Sequence, residues 1–99
     1  MSTELTFTTG RDPASGTLVL GAAGEIDMSN AAAFAAALDE ARHGADSFVL
    51  DLTEVEYLDS AGLAALFPHV DHVRLVVGPI LGPLLTVAGL ADVTTIRTP

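Results

Sequence analysis

The chain has 99 residues, with 13 acidic residues against 4 arginines, no lysine and no cysteine, and a formal net charge of -9. That length suits one domain, residues 1–99, and a hydrophobic fraction of 49% is enough to build its core. The charge argues against nucleic acid and against the anionic surface of a membrane, both of which are bound through clustered lysine and arginine; the missing cysteine excludes disulfides, thiolate metal sites and a cysteine nucleophile.

The N-terminus, MSTELTFTTG, has no basic region and no apolar run. No signal peptide is visible, and a cytoplasmic location is the expectation, with which the missing cysteine is compatible. Glu4–Thr8 alternates, with Leu5 and Phe7 on one face, and reads as an edge strand. The cluster from Gly10 to Gly16 is a turn. Thr17–Ala22, carrying Leu18, Val19 and Leu20, reads as a second strand hairpinned to the first. Gly24-Glu25-Ile26-Asp27 closes it.

Ser29 or Asn30 then caps a helix over Ala31–Arg42, with Phe34, Leu38 and Ala41 at i, i+4 and i+7. Arg42 and His43 suit the C-terminal end of its dipole, and Gly44 stops it. Ser47–Leu52 is a mostly apolar strand, which suits a buried, central place. From Gly62 the period turns helical, with Leu63, Leu66, Phe67 and Val70 on one face. Pro68 lacks a backbone donor and predicts a kink or an early end. Val73–Val77 is a further strand.

Between Arg74 and Asp92 run seventeen uncharged residues, LVVGPILGPLLTVAGLA. That is near the lower limit for a membrane span. Gly78, Pro79, Gly82, Pro83 and Gly89 cut it into strand, turn and helix, so no membrane insertion is expected. The helix starts at Gly82-Pro83 and ends at Gly89, where Leu90 can fold back on Leu85. Val93–Ile96 is a last short strand. The order predicts a single α/β domain, a mixed sheet of about five strands with about three helices.

Ser60 is the first candidate for chemistry. It stands at a strand-to-helix turn between Asp59 and Ala61-Gly62. One reading is a helix N-cap, its hydroxyl accepting a backbone N–H near Leu63. The other is an exposed functional serine, a nucleophile or a phosphorylation site. A hydrolase elbow requires glycine two residues before the serine, and Leu58 stands there. His69 and His72 lie at i and i+3, but a zinc site needs a third ligand and a second shell. A solvent-facing helix end fits them better. Asp27 is a turn carboxylate that helps the entry to the following helix. The spacing of the glycines matches no phosphate-cradling loop, and no cofactor or metal is expected.

Two segments together are more specific. Gly24-Glu25-Ile26-Asp27 follows a strand and precedes an amphipathic helix. Val49-Leu50-Asp51-Leu52-Thr53-Glu54-Val55-Glu56-Tyr57-Leu58-Asp59-Ser60-Ala61-Gly62-Leu63 runs from a buried strand into a second helix. Together they closely resemble bacterial anti-sigma factor antagonists of the STAS domain family, over nearly the whole chain. Val87-Ala88-Gly89-Leu90 is similar to the family's end of the third helix.

The resemblance implies a STAS-like fold and a function in transcription regulation. The serine matching Ser60 is the one phosphorylated by an anti-sigma factor that is itself a serine kinase. The unphosphorylated antagonist binds that kinase and frees a sigma factor; phosphorylation ends the complex, and a PP2C-type phosphatase restores it. The contact surface implied comprises Asp27, Met28, Ser29, Asp59, Ser60, Ala61, Gly62 and Leu63. Such a phosphoprotein is a substrate and binding module in partner switching, not an enzyme. Backbone amides at the helix N-terminus would hold the phosphate. The alternative implied by the same family is a phosphorylation-independent STAS module, a scaffold or a cytoplasmic accessory subunit of a transporter complex.

Overall fold

The computed structural model describes residues 4–87, 89 and 95–97. They form β1 (Thr6–Arg11), β2 (Leu18–Ile26), α1 (Ala31–Gly44), β3 (Phe48–Leu58), α2 (Ser60–Leu66), a 3₁₀ segment (Phe67–His72), β4 (Val73–Val77), α3 (Leu81–Val87) and β5 (Thr95–Arg97). One sheet holds all five strands in the order β1-β2-β3-β4-β5. β1 is antiparallel to β2, and each later pair of neighbours is parallel. This is the mixed α/β sheet that the sequence pattern implies.

The hairpin turns where Gly16 takes a positive φ of 74°. Asp12 braces it, its Oδ1 accepting the Ala14 amide at 2.8 Å. β1 and β2 each reach further along the chain than their apolar runs suggest. β2 continues to Ile26 because Leu20, Ala22 and Ile26 alternate onto the core face. Gly24, at φ 105°, sits at one of two register shifts against β3.

β3 is the central strand, as expected, but it runs on to Leu58. Its second half breaks the strict alternation where the register against β2 shifts: Val55 and Leu58, three apart, are buried while Glu54, Glu56 and Tyr57 are exposed. The apolar run described only its first half.

In α1, Phe34, Leu38 and Ala41 form the buried stripe that their spacing predicts. In α2 the α-helical bonding ends at Leu66, and Pro68 lies in the first turn of the 3₁₀ segment. Phe67 still donates its N–H to the Leu63 carbonyl, yet its side chain is 46% exposed: the buried stripe here is Gly62, Leu66 and His69, and not the face expected from Leu63, Leu66, Phe67 and Val70. His69 does not face solvent as expected. It is buried, with Nε2 3.2 Å from Asp39 on α1.

α3 begins at Leu81, so Pro83 is its third residue and not its first. Gly89 has the left-handed φ of 87° expected of a helix stop. The Leu90–Leu85 contact and the strand start at Val93 lie outside the described residues.

The crossovers β2-α1-β3, β3-α2-β4 and β4-α3-β5 all step in one direction across the sheet. In the right-handed sense usual for such connections, this puts the three helices on one face. Burial agrees: Leu50, Leu52, Leu75 and Val77 are fully covered, whereas Asp51 and Val76 are half-buried and Arg74 is exposed. The turns after β2, β3 and β4 therefore open at the same end of the sheet. Ile26 pairs with Leu58. That register brings the turn after β2 beside the turn after β3.

Candidate functional site

The two turns are joined by Asp59. Its backbone is extended, at φ -94° and ψ -174°, as a helix N-cap requires. Its Oδ1 accepts the amides of Ala61 at 2.9 Å and Gly62 at 3.1 Å. Its Oδ2 accepts the Met28 amide from the neighbouring turn at 3.1 Å. The Asp59 amide donates to the Ile26 carbonyl at 3.2 Å, closing the junction from the backbone side.

The cap of α2 is thus Asp59 and not Ser60. Both residue types cap well, and the sequence offers them side by side. The carboxylate takes the position because it can serve both turns at once. Ser60 becomes the first residue of α2, exposed, and its hydroxyl makes no hydrogen bond among the described residues. The amides expected to hold a phosphate are occupied: those of Ala61 and Gly62 already carry the Asp59 carboxylate.

The turn after β2 has its own bracing. Asp27 Oδ1 accepts the Ser29 amide at 2.9 Å and the Ser29 hydroxyl. These bonds, the hydroxyl's first, hold the Asp27 carboxyl below the ordinary aspartate value. Neither Ser29 nor Asn30 caps α1 through its side chain. Ser29 turns back to Asp27. Asn30 spans the turn, its Oδ1 accepting the Asp27 amide at 2.9 Å and its Nδ2 donating to the Glu25 carbonyl at 2.8 Å. Sequence reasoning missed this brace. The signal was the Asp-x-x-Asn spacing, which reads equally well as a plain cap.

Of the eight residues expected on a contact surface, Met28, Ser29 and Ser60 are exposed, and Asp27, Asp59, Ala61 and Leu63 are half-buried. Gly62 is buried against Leu58 and Ile26. Its place is in the packing beneath the turn. Met28 is 81% exposed, the most exposed large apolar residue described.

No histidine bonds to Ser60. His43 and His72 each bond a backbone carbonyl, of Asp39 and Asp46, and His69 is buried against α1. Among the described residues no cluster of three or more histidine and acidic side chains is placed to hold a metal ion. No helix among them is long and apolar enough to cross a membrane.

A family model described as "Mlab, STAS domain" matches residues 9–95. Among solved structures, an anti-sigma factor antagonist from Mycobacterium paratuberculosis superposes with a TM-score of 0.83 at 25% identity, over 95% of this chain and 86% of that one. A proposed anti-sigma factor antagonist from Thermotoga maritima gives 0.68 at 16% identity, over 92% and 85%. An anti-sigma factor antagonist STAS domain from Rhodobacter sphaeroides gives 0.53 at 18%, over 74% and 84%. The last two speak for the fold. A comparison with curated proteins gives no match. With the family model spanning both turns and the sheet between them, the chain belongs to the STAS domain family.

Proposed function

We propose that this protein is an anti-sigma factor antagonist controlled by phosphorylation of Ser60. It acts in the cytoplasm by partner switching and catalyses nothing itself. Its partners are an anti-sigma factor that is a serine kinase and a PP2C-type phosphatase. The observation that carries the reading is the exposed Ser60 hydroxyl, left without a bond because Asp59 takes the capping position. The likeness to the mycobacterial antagonist supports it.

The kinase transfers the γ-phosphoryl group of ATP to Ser60 Oγ: the bond from the γ-phosphorus to the bridging oxygen breaks, ADP leaves, and the hydroxyl gives up its proton. The phosphoserine carries about -1.5 to -2 charges at neutral pH. It stands beside the Asp59 carboxylate, in a chain already at -9. An interface closed against a small neutral hydroxyl leaves no space for a phosphate and strips it of its water, and the complex is disfavoured.

The test is intact-mass measurement after incubation with the cognate kinase and ATP. The expected result is a gain of one phosphate that Ser60→Ala abolishes. No gain, with a kinase active on another antagonist, overturns the proposal.

A further inference from the structure

We propose that Met28 is the apolar anchor of the partner surface and that Asp59 is the residue that positions it. The partner it fits is a protein face with an apolar socket surrounded by arginine and lysine. This rests on the anti-sigma factor reading above and names what that factor must present.

Met28 stands 81% exposed beside the turn that carries Ser60, and covering its side chain removes apolar surface from water. Methionine suits such a role, because its unbranched thioether adapts to an irregular socket. Its backbone, in contrast, is fixed on every side. The Met28 amide is held by Asp59, the next amide by Asp27, and the turn is spanned by Asn30. A side chain carried on a backbone held this way binds at lower ordering cost.

The surroundings decide the partner's charge. Glu25, Asp27 and Asp59 stand in or beside these two turns, and the Asp27 carboxyl is held ionised by Ser29. No arginine lies in residues 24–30 or 56–63. A basic partner is therefore drawn to this end of the molecule and a like-charged one repelled. Phosphorylation of Ser60 acts next to the same Asp59 carboxylate that holds Met28.

Asp59→Asn separates the two duties of the carboxylate. The amide oxygen still caps Ala61 and Gly62, but the amide nitrogen cannot accept the Met28 N–H. The experiment measures affinity for the cognate anti-sigma factor by calorimetry, at low and high salt. It compares wild type, Met28→Ala, Met28→Leu, Asp59→Asn and the Met28→Ala/Asp59→Asn double variant. Thermal melts confirm that each is folded.

Met28→Ala is expected to weaken binding by about tenfold, as loss of a central anchor does, and Met28→Leu by less than about threefold. Asp59→Asn weakens binding of the wild type but adds little to Met28→Ala, the non-additivity of residues that act as one unit. Affinity falls as salt rises. Met28→Ala binding as tightly as wild type overturns the anchor. Additive effects overturn the positioning role, which a charge effect of Asp59 alone would produce. Affinity that does not change with salt overturns the basic partner. A wild type that binds no anti-sigma factor overturns the functional reading along with the inference; a wild type that binds while Met28→Ala binds equally overturns the inference alone.

Discussion

Gly62 has no room for a side chain: a Cβ built on it stands 2.9 Å from Ile26 Cγ2 and closer still to a methyl of Leu58. Ile26 and Leu58 are paired in the sheet, and both are buried. The first turn of α2 therefore rests directly on the ends of β2 and β3. That contact is what lets Asp59 reach the Met28 amide.

Gly62→Ala tests it. In an open helix, alanine in place of glycine gains about 1 kcal/mol. Here the methyl must displace two core side chains, which typically costs about 1–3 kcal/mol. The expected outcome is a net loss of stability, measured by urea unfolding. A stabilised variant would show that the turn is free to lift away from the strands.

Asp59→Ala removes the cap and the tie to Met28 together. Loss of a cap costs about 0.5–2 kcal/mol. For a domain of this size, each kcal/mol lowers the melting temperature by about 4–8 °C. Ser60→Ala removes no bond seen among the described residues, so its melting temperature is expected to match wild type. Equal losses in the two variants would return the capping role to Ser60.

The Asp27 carboxyl is more acidic in the folded protein than in the unfolded chain, because Ser29 bonds its ionised form. Its contribution is complete above the unfolded-state value and is lost as pH falls through the folded-state one. A carboxyl titration followed by NMR is expected to place its midpoint below that of an ordinary aspartate. In Ser29→Ala the midpoint rises toward the ordinary value, since the largest cause is removed. An unchanged midpoint in that variant would contradict the assignment.

His69 and Asp39 join the 3₁₀ segment to α1, and they differ in exposure. The His69 side chain is 8% exposed and that of Asp39 is 65% exposed. A pair open to water on one side contributes about 0–1 kcal/mol. The buried ring contributes mainly by filling space. His69→Ala is expected to cost about 2 kcal/mol or more, as other large-to-small core changes do. Asp39→Ala is expected to cost less than about 1 kcal/mol. Chemical denaturation of the two variants checks the order; the reverse order would make the contact with Asp39 the dominant element.

Much of this molecule was legible in one dimension. The alternating and 3.6-periodic patterns identified the strands and helices, because burial on one face imposes those periods whatever the neighbours. Phe34, Leu38 and Ala41 show it in α1, and Leu50, Leu52, Leu75 and Val77 show it in the sheet. The Asp-Ser-Ala-Gly-Leu turn stood out for the same local reason, as a cap, a small residue and the start of a helix in one stretch. Pro68 marked the end of α2 because the missing donor acts on its own turn.

What the chain order could not decide were the choices made between segments. β3 continues to Leu58 because β2 lies beside it over that length, and the pairing with Ile26 is set only in the sheet. His69 is buried because α1 lies over it. The competition between Asp59 and Ser60 for the cap has no local answer. The Met28 amide, 31 positions earlier in the chain, enters into it: the two oxygens of the Asp59 carboxylate accept the α2 amides and the Met28 N–H at once. The net charge of -9 was plain from composition. That acidic side chains stand around a free hydroxyl and an exposed methionine is a fact of the tertiary structure, because it depends on two turns meeting at one end of the sheet.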